Sequence, residues 1–185
     1  NERDLNLLLE KILLAAKTIT RADGGTLYRL SQDKQHLHFE IVRTESLDLA
    51  FGGSSRQPSH GKFPDLPLYQ KDHAPNNSMV AAYAALTGRT VNIADAYVAE
   101  GFDFSGTRHF DERTGYRSQS FLTVPMKNHE NEIIGVLQLI NALHPESGCV
   151  VEFSKADQRL AESLASQAAI ALSNRQLVQQ LEVLF

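Results

Sequence analysis

Two apolar runs separated by five polar residues constrain the fold of this 185-residue chain more than any other feature. The first run spans Ser118 to Met126, the second spans Glu132 to Asn141, and Lys127 to Asn131 lies between them. Apolar runs joined by a short polar turn predict an antiparallel hairpin. The second run is apolar at nearly every position, which is typical of a strand buried on both faces. The hairpin is therefore predicted to lie at the centre of a sheet.

Helical periodicity marks both ends of the chain. Apolar residues recur at helical spacing from Leu5 to Ile19, and this helix is predicted to end at Asp23-Gly24-Gly25, where glycine permits a left-handed cap. A second, longer helix is predicted from Phe153 to Gln180, with Ser154 as its N-cap. Its predicted apolar stripe consists of Leu160, Leu164, Ala168, Ala171 and Leu172.

Shorter elements fill the middle of the chain. Thr26 to Leu30 and His36 to Arg43 predict a first hairpin, and Thr90 to Ala94 a further strand. A helix ending at Gly88 is predicted to be capped by Asn77 or Ser78. Ser46 to Asn77 is predicted to be a long loop with one short strand near Leu66 to Gln70. Antiparallel strand pairs flanked by helices predict the α+β class.

Composition excludes several classes of function. A net charge of −4 gives no basic surface for nucleic acid, and no apolar run approaches the ~20 residues of a membrane span. The single cysteine, Cys149, fits a reducing compartment, so a cytoplasmic location is expected. Residues 181–185 resemble part of a protease cleavage site used in expression vectors, so a single domain is expected over residues 1–180.

A ligand site is predicted just before the central hairpin. The segment from Asp95 to His109 is irregular and rich in glycine and aromatic residues, and a charged turn from Asp111 to Gly115 follows it. Polar loops on a rigid sheet are frequent sites of binding. The rings of this region either stack on a ligand or close the edge of the core, and both interpretations remain open. These rings are Tyr97, Phe102, Phe104 and Phe110.

These motifs together resemble a GAF domain over nearly the whole chain. The similarity is closest to GAF domains of cyclic-nucleotide phosphodiesterases and of bacterial HD-GYP-type signalling proteins. It implies a central antiparallel sheet of about five to six strands, with the N- and C-terminal helices on one face. Loops and short helices would form a pocket on the other face. The motifs that carry the resemblance are Thr87-Gly-Arg-Thr-Val-Asn-Ile-Ala-Asp-Ala-Tyr97, Asp111-x-x-Thr-Gly-Tyr-Arg-Ser118, Ile134-Gly-Val-Leu-Gln-Leu-Ile-Asn141 and Phe153-Ser-Lys-Ala-Asp157.

The resemblance also implies ligand-binding positions. In the nucleotide-binding members, an Asp, a Thr and a second hydroxyl before the central hairpin line the pocket, together with residues at a helix start that faces the phosphate. A polar group on the second central strand contacts the nucleotide in some members. With the aromatic segment added, the predicted ligand contacts are Val80, Ala81, Asp95, Ala96, Tyr97, Phe110, Asp111, Thr114, Ser118 and Gln138.

The ligand itself is left open by the sequence. Nucleotide-binding members carry Asn-Lys and Asp-Glu where this chain has Asn141-Ala142 and Asp157-Gln158. A bilin is not expected, because Cys149 is followed by valine in a loop after the core strands. A metal is not expected either, because His36 and His38 have no third ligand at a recognisable spacing.

We therefore expect a regulatory small-molecule sensor of a larger bacterial signalling protein. Its terminal helices would transmit to an output domain such as a cyclic di-GMP phosphodiesterase, and they would also form a homodimer, because Leu7, Leu14 and Leu177 remain outside the core stripes. The alternative is a ligand-free dimerisation module. Catalysis of the kind found in free-methionine sulfoxide reductases depends on cysteines, so the lone Cys149 favours a domain without enzymatic activity.

Overall fold

The fold was analysed in a computed structural model that describes residues 2–55, 57–58 and 62–184. Within these residues the elements in chain order are α1 (Glu2–Thr20), β1 (Ala22–Leu30), β2 (His36–Thr44), β3 (Leu49–Phe51), β4 (Leu66–Pro67), α2 (Val80–Thr87), β5 (Val91–Ile93), α3 (Ser105–Thr114), β6 (Phe121–Lys127), β7 (Ile133–Leu143), β8 (Val150–Val151) and α4 (Lys155–Leu184). The predicted vector remnant continues the last helix to Leu184, and Phe185 lies outside the described residues.

One antiparallel sheet organises the described part of the chain. Its strand order is β3-β2-β1-β7-β6-β5, with β4 paired to β2 and β8 paired to β7. The predicted central hairpin is confirmed as β6 and β7, and β7 is flanked on its other side by β1. The α+β class and the expected number of main strands are also confirmed.

Alternation along β7 divides the interior into two sides. Leu137 and Leu139 point into a core shared with α1 and α4, whereas Val136 packs with α2 on the opposite face of the sheet. The two terminal helices therefore cover one face, as expected. Gln138 alternates with the two leucines and so lies on the α2 face, where a cavity is found.

The predicted stripe of α4 is wrong at Leu160, which is 46% exposed. Small residues make the contact with the sheet instead, and the buried ones are Ala161, Ala165, Ala168 and Ala169. Alanines let the helix lie close to the strands, so the buried face follows side-chain size as well as hydrophobicity. The predicted N-cap is confirmed, because the Asp157 N–H donates to Ser154 Oγ over 3.0 Å.

The predicted glycine cap of α1 is also wrong. The helix ends at Thr20, Arg21 takes the left-handed turn with φ 59°, and Gly24 and Gly25 belong to β1. Gly25 is needed for a different reason. A Cβ added there would lie 2.9 Å from Leu13 Cδ1, so the glycine lets α1 pack closely onto β1.

The segment before the central hairpin is more regular than predicted. Instead of a charged turn from Asp111 to Gly115, the chain forms α3, which ends where Gly115 adopts φ 76° and its N–H donates to Asp111 O. The predicted caps of α2 are wrong as well. The N-cap is Met79, which makes no side-chain capping hydrogen bond, while the predicted stop at Gly88 is confirmed.

Candidate ligand-binding site

A cavity of about 440 Å³ lies on the face of the sheet opposite the terminal helices. It is bounded by β1, β2 and β7, the start of α2, the helix α3 and the segment just before β4. This volume is within the usual range for small-molecule pockets, which are mostly apolar with a few polar groups.

The floor of the cavity includes Thr26 and Gln138, which belong to a polar row across the middle of the sheet. Thr26 on β1 lies opposite Gln138 on β7, and Thr123 on β6 lies on the other side of Gln138. The Thr123 hydroxyl donates to Gln138 Oε1 over 2.8 Å. Burial raises the pKa of Tyr28, and a hydrogen bond with Gln138 only partly offsets this, so the phenol stays protonated as a donor.

Aromatic rings form the walls. One pair belongs to β2 and the segment before β4, and the others surround α3 and the start of β6. Three ring pairs, with centroids 5.0, 5.4 and 6.4 Å apart, are Phe39–Phe63, Phe104–Phe121 and Phe110–Tyr116. A flat ring between such walls would gain both apolar burial and favourable ring contacts.

The start of α2 points at the same cavity. Val80 and Ala81 line it, and the N-cap Met79 supplies no side-chain acceptor to the first N–H groups of the helix. Uncapped N–H groups at a helix start attract anions. This end of the cavity is therefore suited to a negatively charged group.

Three charged side chains, Asp65, Asp103 and Arg113, are among those that line the cavity. His38 Nδ1 is 2.7 Å from Asp65 Oδ1, and Arg113 lines the cavity from the last turn of α3. Asp103 accepts the Ser105 N–H over 2.9 Å, and this hydrogen bond lowers the pKa of the Asp103 carboxyl. Both carboxylates thus already have partners within the protein.

Five of the ten predicted contacts line the cavity, and they are Val80, Ala81, Phe110, Ser118 and Gln138. They come from four separate elements or connections, so the structure brings together positions that are far apart in sequence. That they touch a ligand stays a prediction.

The other five, Asp95, Ala96, Tyr97, Asp111 and Thr114, do not line it. Asp111 is buried and accepts hydrogen bonds from the Tyr97 hydroxyl and from Ser118 N and Oγ, the latter two at 2.9 and 2.8 Å. Asp95 accepts the Tyr97 N–H, and the Thr114 hydroxyl donates to Phe110 O at the end of α3. The polar atoms of Asp95, Asp111 and Thr114 therefore form hydrogen bonds within the protein.

Sequence reasoning missed most of the side of the cavity formed by β1 and β2. That side is lined by Thr26, Tyr28 and Phe39, which were not predicted. Two further lining residues, Phe63 before β4 and Arg113 in α3, were not predicted either. The two-residue spacing of Thr26 and Tyr28 on a predicted strand was a usable signal, because it places both side chains on one face. No comparable signal marks Phe63, which lies in a proline-rich loop.

A second, polar cleft of about 500 Å³ lies beside α4 and contains Arg89, Lys127 and Glu162. None of the predicted contacts lines it.

Within the described residues, no three His, Cys, Asp or Glu side chains are grouped closely enough to hold a metal. The helices in that part of the chain are too short or too polar to cross a membrane.

Comparisons with known proteins agree with this architecture. The family model for the GAF domain matches residues 4–172. A cGMP-specific 3',5'-cyclic phosphodiesterase of Drosophila sechellia is 27% identical over 182 residues, which cover 96% of this chain and 13% of that protein. The chain thus spans about an eighth of the length of that relative.

Two solved structures have similar folds. The GAF domain of an Acinetobacter phosphoenolpyruvate-protein phosphotransferase has a TM-score of 0.58 at 16% identity, covering 94% of this chain and 93% of that chain. The GAF domain/HD domain protein from Geobacter sulfurreducens has a TM-score of 0.61 at 14% identity, covering 94% and 95% respectively. At these identities the likeness concerns the fold.

Proposed function

The chain belongs to the GAF domain family, and we propose that it is a regulatory sensor whose cavity binds a small molecule of the cyclic-nucleotide class. The observation that carries this proposal is the combination of aromatic walls, a polar floor and an uncapped helix start around one cavity. A flat base would lie between the walls, and its polar edge would meet Tyr28 and Gln138. The phosphate would lie at Val80 and Ala81.

The relatives support the same class of ligand without identifying it. The matched phosphodiesterases are described as cGMP-specific, but this chain covers only a small part of each. The chain also lacks the lysine of the nucleotide-binding signature, since Ala142 stands there and is buried. Cyclic GMP and cyclic AMP are therefore both candidates.

Regulation would act by binding, without catalysis in this domain. The GAF fold is a regulatory module, and the polar groups of the cavity are already joined in hydrogen bonds within the sheet and the wall. We propose a cytoplasmic bacterial signalling protein in which the terminal helices act on an output domain such as a cyclic di-GMP phosphodiesterase. A solved neighbour described as a GAF domain/HD domain protein supports this choice of output.

A second proposal concerns assembly through α1 and α4. The two helices lie side by side, with Arg175 Nη2 3.7 Å from Glu2 Oε1. Exposed apolar side chains on both of them would be covered in a homodimer, and they include Leu8, Leu14, Ile19, Leu177 and Val178. This surface also favours the alternative function, a dimerisation module that binds no ligand.

The deciding experiment is a search for retained ligand combined with direct titration. Purified protein would be denatured and the released small molecules identified by mass spectrometry, and stripped protein would be titrated calorimetrically with cyclic GMP and cyclic AMP. We expect saturable binding of at least one nucleotide at one site per chain. No retained molecule and no heat with either nucleotide at millimolar concentration would favour the ligand-free module.

A further inference from the structure

Glu10 is a buried acid on the core-facing side of α1. It is 9% exposed, and its carboxylate accepts hydrogen bonds from Ser54 N at 3.0 Å and from Ser54 Oγ at 2.8 and 2.7 Å. It also forms an ion pair with Arg43. A buried carboxylate is unfavourable unless it is paired and hydrogen-bonded. All these partners lie outside α1, so the acid connects the helix to another part of the fold.

Arg43 extends this connection to the end of β3. Its Nη1 donates to Phe51 O over 2.7 Å and to Val42 O over 2.8 Å, while Nη2 donates to Gly52 O over 3.0 Å. One buried guanidinium therefore holds Glu10 and two consecutive carbonyls of the segment that leaves β3.

The chain approaches the carboxylate closely at Gly53. This residue has φ 62°, and an added Cβ would lie 2.6 Å from Glu10 Oε1 and 3.1 Å from Arg43 Nη2. A side chain there would be strained by the backbone conformation and would also displace the ion pair. The backbone at Gly53 therefore leaves no room for a side chain beside the Glu10 carboxylate.

The end of β3 also contacts the aromatic wall of the cavity. The ring of Phe51 is buried and meets Phe63 edge-on with centroids 5.3 Å apart, and Phe63 stacks against Phe39 with centroids 5.0 Å apart. Phe39 and Phe63 both line the cavity. A continuous series of contacts therefore runs from the cavity through Phe51 and Arg43 to Glu10.

We propose that Glu10 couples the aromatic wall to α1, so that a displacement of Phe63 changes the stability of the helix. Close-packed interiors pass such displacements between neighbours because they have few voids to absorb them. This coupling rests on the proposed sensor function for its biological role, because a ligand between the aromatic walls would move Phe63. The link between wall and helix can be tested without any ligand.

The first experiment perturbs the aromatic wall by mutation and measures hydrogen exchange in α1. Amide hydrogen exchange of α1 would be compared for the wild type and Phe63→Ala, then for Glu10→Gln with and without Phe63→Ala. We expect Phe63→Ala to speed hydrogen exchange in α1 several-fold in the wild-type background. In the Glu10→Gln background, the same mutation should speed exchange by less than twofold.

Two further backgrounds control for loss of stability. Glu2→Gln removes an acid of α1 whose partner is Arg175 on α4, so the response to Phe63→Ala should remain. Ser54→Ala removes only the hydroxyl donor and keeps the buried ion pair, so it should fold normally and reduce the response partly. The coupling would be overturned if Phe63→Ala left hydrogen exchange in α1 unchanged. It would also be overturned if the effect of Phe63→Ala on this exchange were undiminished in both Glu10→Gln and Ser54→Ala.

A second arm uses cyclic GMP as the probe. In the wild type we expect binding to change exchange in α1, and in Ser54→Ala we expect a dissociation constant within threefold of wild type with a smaller change in α1. An equal change in both proteins would overturn the coupling while leaving the sensor function intact. If cyclic GMP does not bind, the same comparison is made with cyclic AMP. If neither binds, the proposed ligand class fails, and the ligand-free comparison still decides whether the coupling exists.

Discussion

The Tyr116 hydroxyl donates a 2.6 Å hydrogen bond to Asp23 Oδ2, joining the segment after α3 to the start of β1. Ser46, which follows β2, donates to the same carboxylate oxygen, also over 2.6 Å. Burial and this contact with Asp23 raise the pKa of Tyr116, so the phenol remains a donor. Because Tyr116 also lines the cavity, one carboxylate fixes a wall residue to the sheet.

Replacing Tyr116 by Phe should destabilise the fold by about 1–3 kcal/mol, because the buried Asp23 carboxylate loses a donor. The free energy of unfolding in urea measures this effect. Tyr83→Phe is the matched control, since its hydroxyl makes no hydrogen bond within the described residues and its ring contact with Phe102 is kept. Equal stabilities of the two variants would show that the Tyr116 contact contributes little.

Glu10→Gln should make stability less dependent on pH in the acid range. Burial raises the pKa of Glu10, but hydrogen bonds from Ser54 and the charge of Arg43 outweigh it and leave the pKa below 4.5. A carboxyl whose pKa is lowered on folding stabilises the native state at pH values above the pKa that it has in the unfolded chain. This contribution is lost as the pH falls through the pKa that it has in the folded protein.

Urea unfolding of the wild type and Glu10→Gln between neutral pH and pH ~3 tests this linkage. The wild type should be more stable at neutral pH, and the difference between the two proteins should shrink below about pH 4.5. A constant difference across the range would contradict it.

Gly25→Ala should cost about 1–3 kcal/mol, because the added methyl would overlap Leu13 and press α1 away from β1. Gly106→Ala is the matched control in α3, where an added Cβ meets nothing within 4 Å. That change should leave stability within about 1 kcal/mol of wild type or raise it, since alanine favours helix. Thermal unfolding monitored by circular dichroism compares the two variants.

Much of the fold could be predicted because its signals are local. The central hairpin and both terminal helices carry strong periodicity over ten or more residues. The helix α3 has no such signal, because its sequence, Ser-Gly-Thr-Arg-His-Phe-Asp-Glu-Arg-Thr, is polar nearly throughout and only Asp111 is buried. Its helical form depends on Gly115 and on contacts with Tyr97 and Ser118.

The cavity was predictable only on one side. Val80, Ala81 and Gln138 were placed through resemblance, but the stacking of Phe63 on Phe39 joins residues 24 positions apart across an irregular loop. The pairing of Glu10 with Arg43 spans 33 positions. A single glutamate among helical apolar residues gives no sign of such a partner, because its usual place is in solvent.

Gln138→Leu should weaken nucleotide binding by at least tenfold if a cyclic nucleotide occupies the cavity, because the base would lose a polar partner on the floor. Thr114→Val is the control, since this hydroxyl is exposed and donates to Phe110 O instead of facing the cavity. It should bind as the wild type does. Calorimetric titration with cyclic GMP and cyclic AMP measures both, and equal affinities for the two variants would remove Gln138 from the site.

Leu14→Glu combined with Leu177→Glu should convert the proposed homodimer into a monomer, because both side chains are exposed on adjacent helices, at 40% and 58%. Light scattering over a range of concentrations measures the mass. Val98→Glu is the control, because Val98 is also exposed but lies in the segment between β5 and α3. A double variant that stays folded and dimeric would place the interface elsewhere.

The contact between Glu2 and Arg175 ties the first turn of α1 to the later part of α4. The sheet holds an earlier part of α4 through its buried alanines, from Ala161 to Ala169. Each turn of α4 rises by about 5.4 Å. A small tilt of α4 against the sheet would therefore grow along the helix and reach α1 as a larger displacement at Glu2.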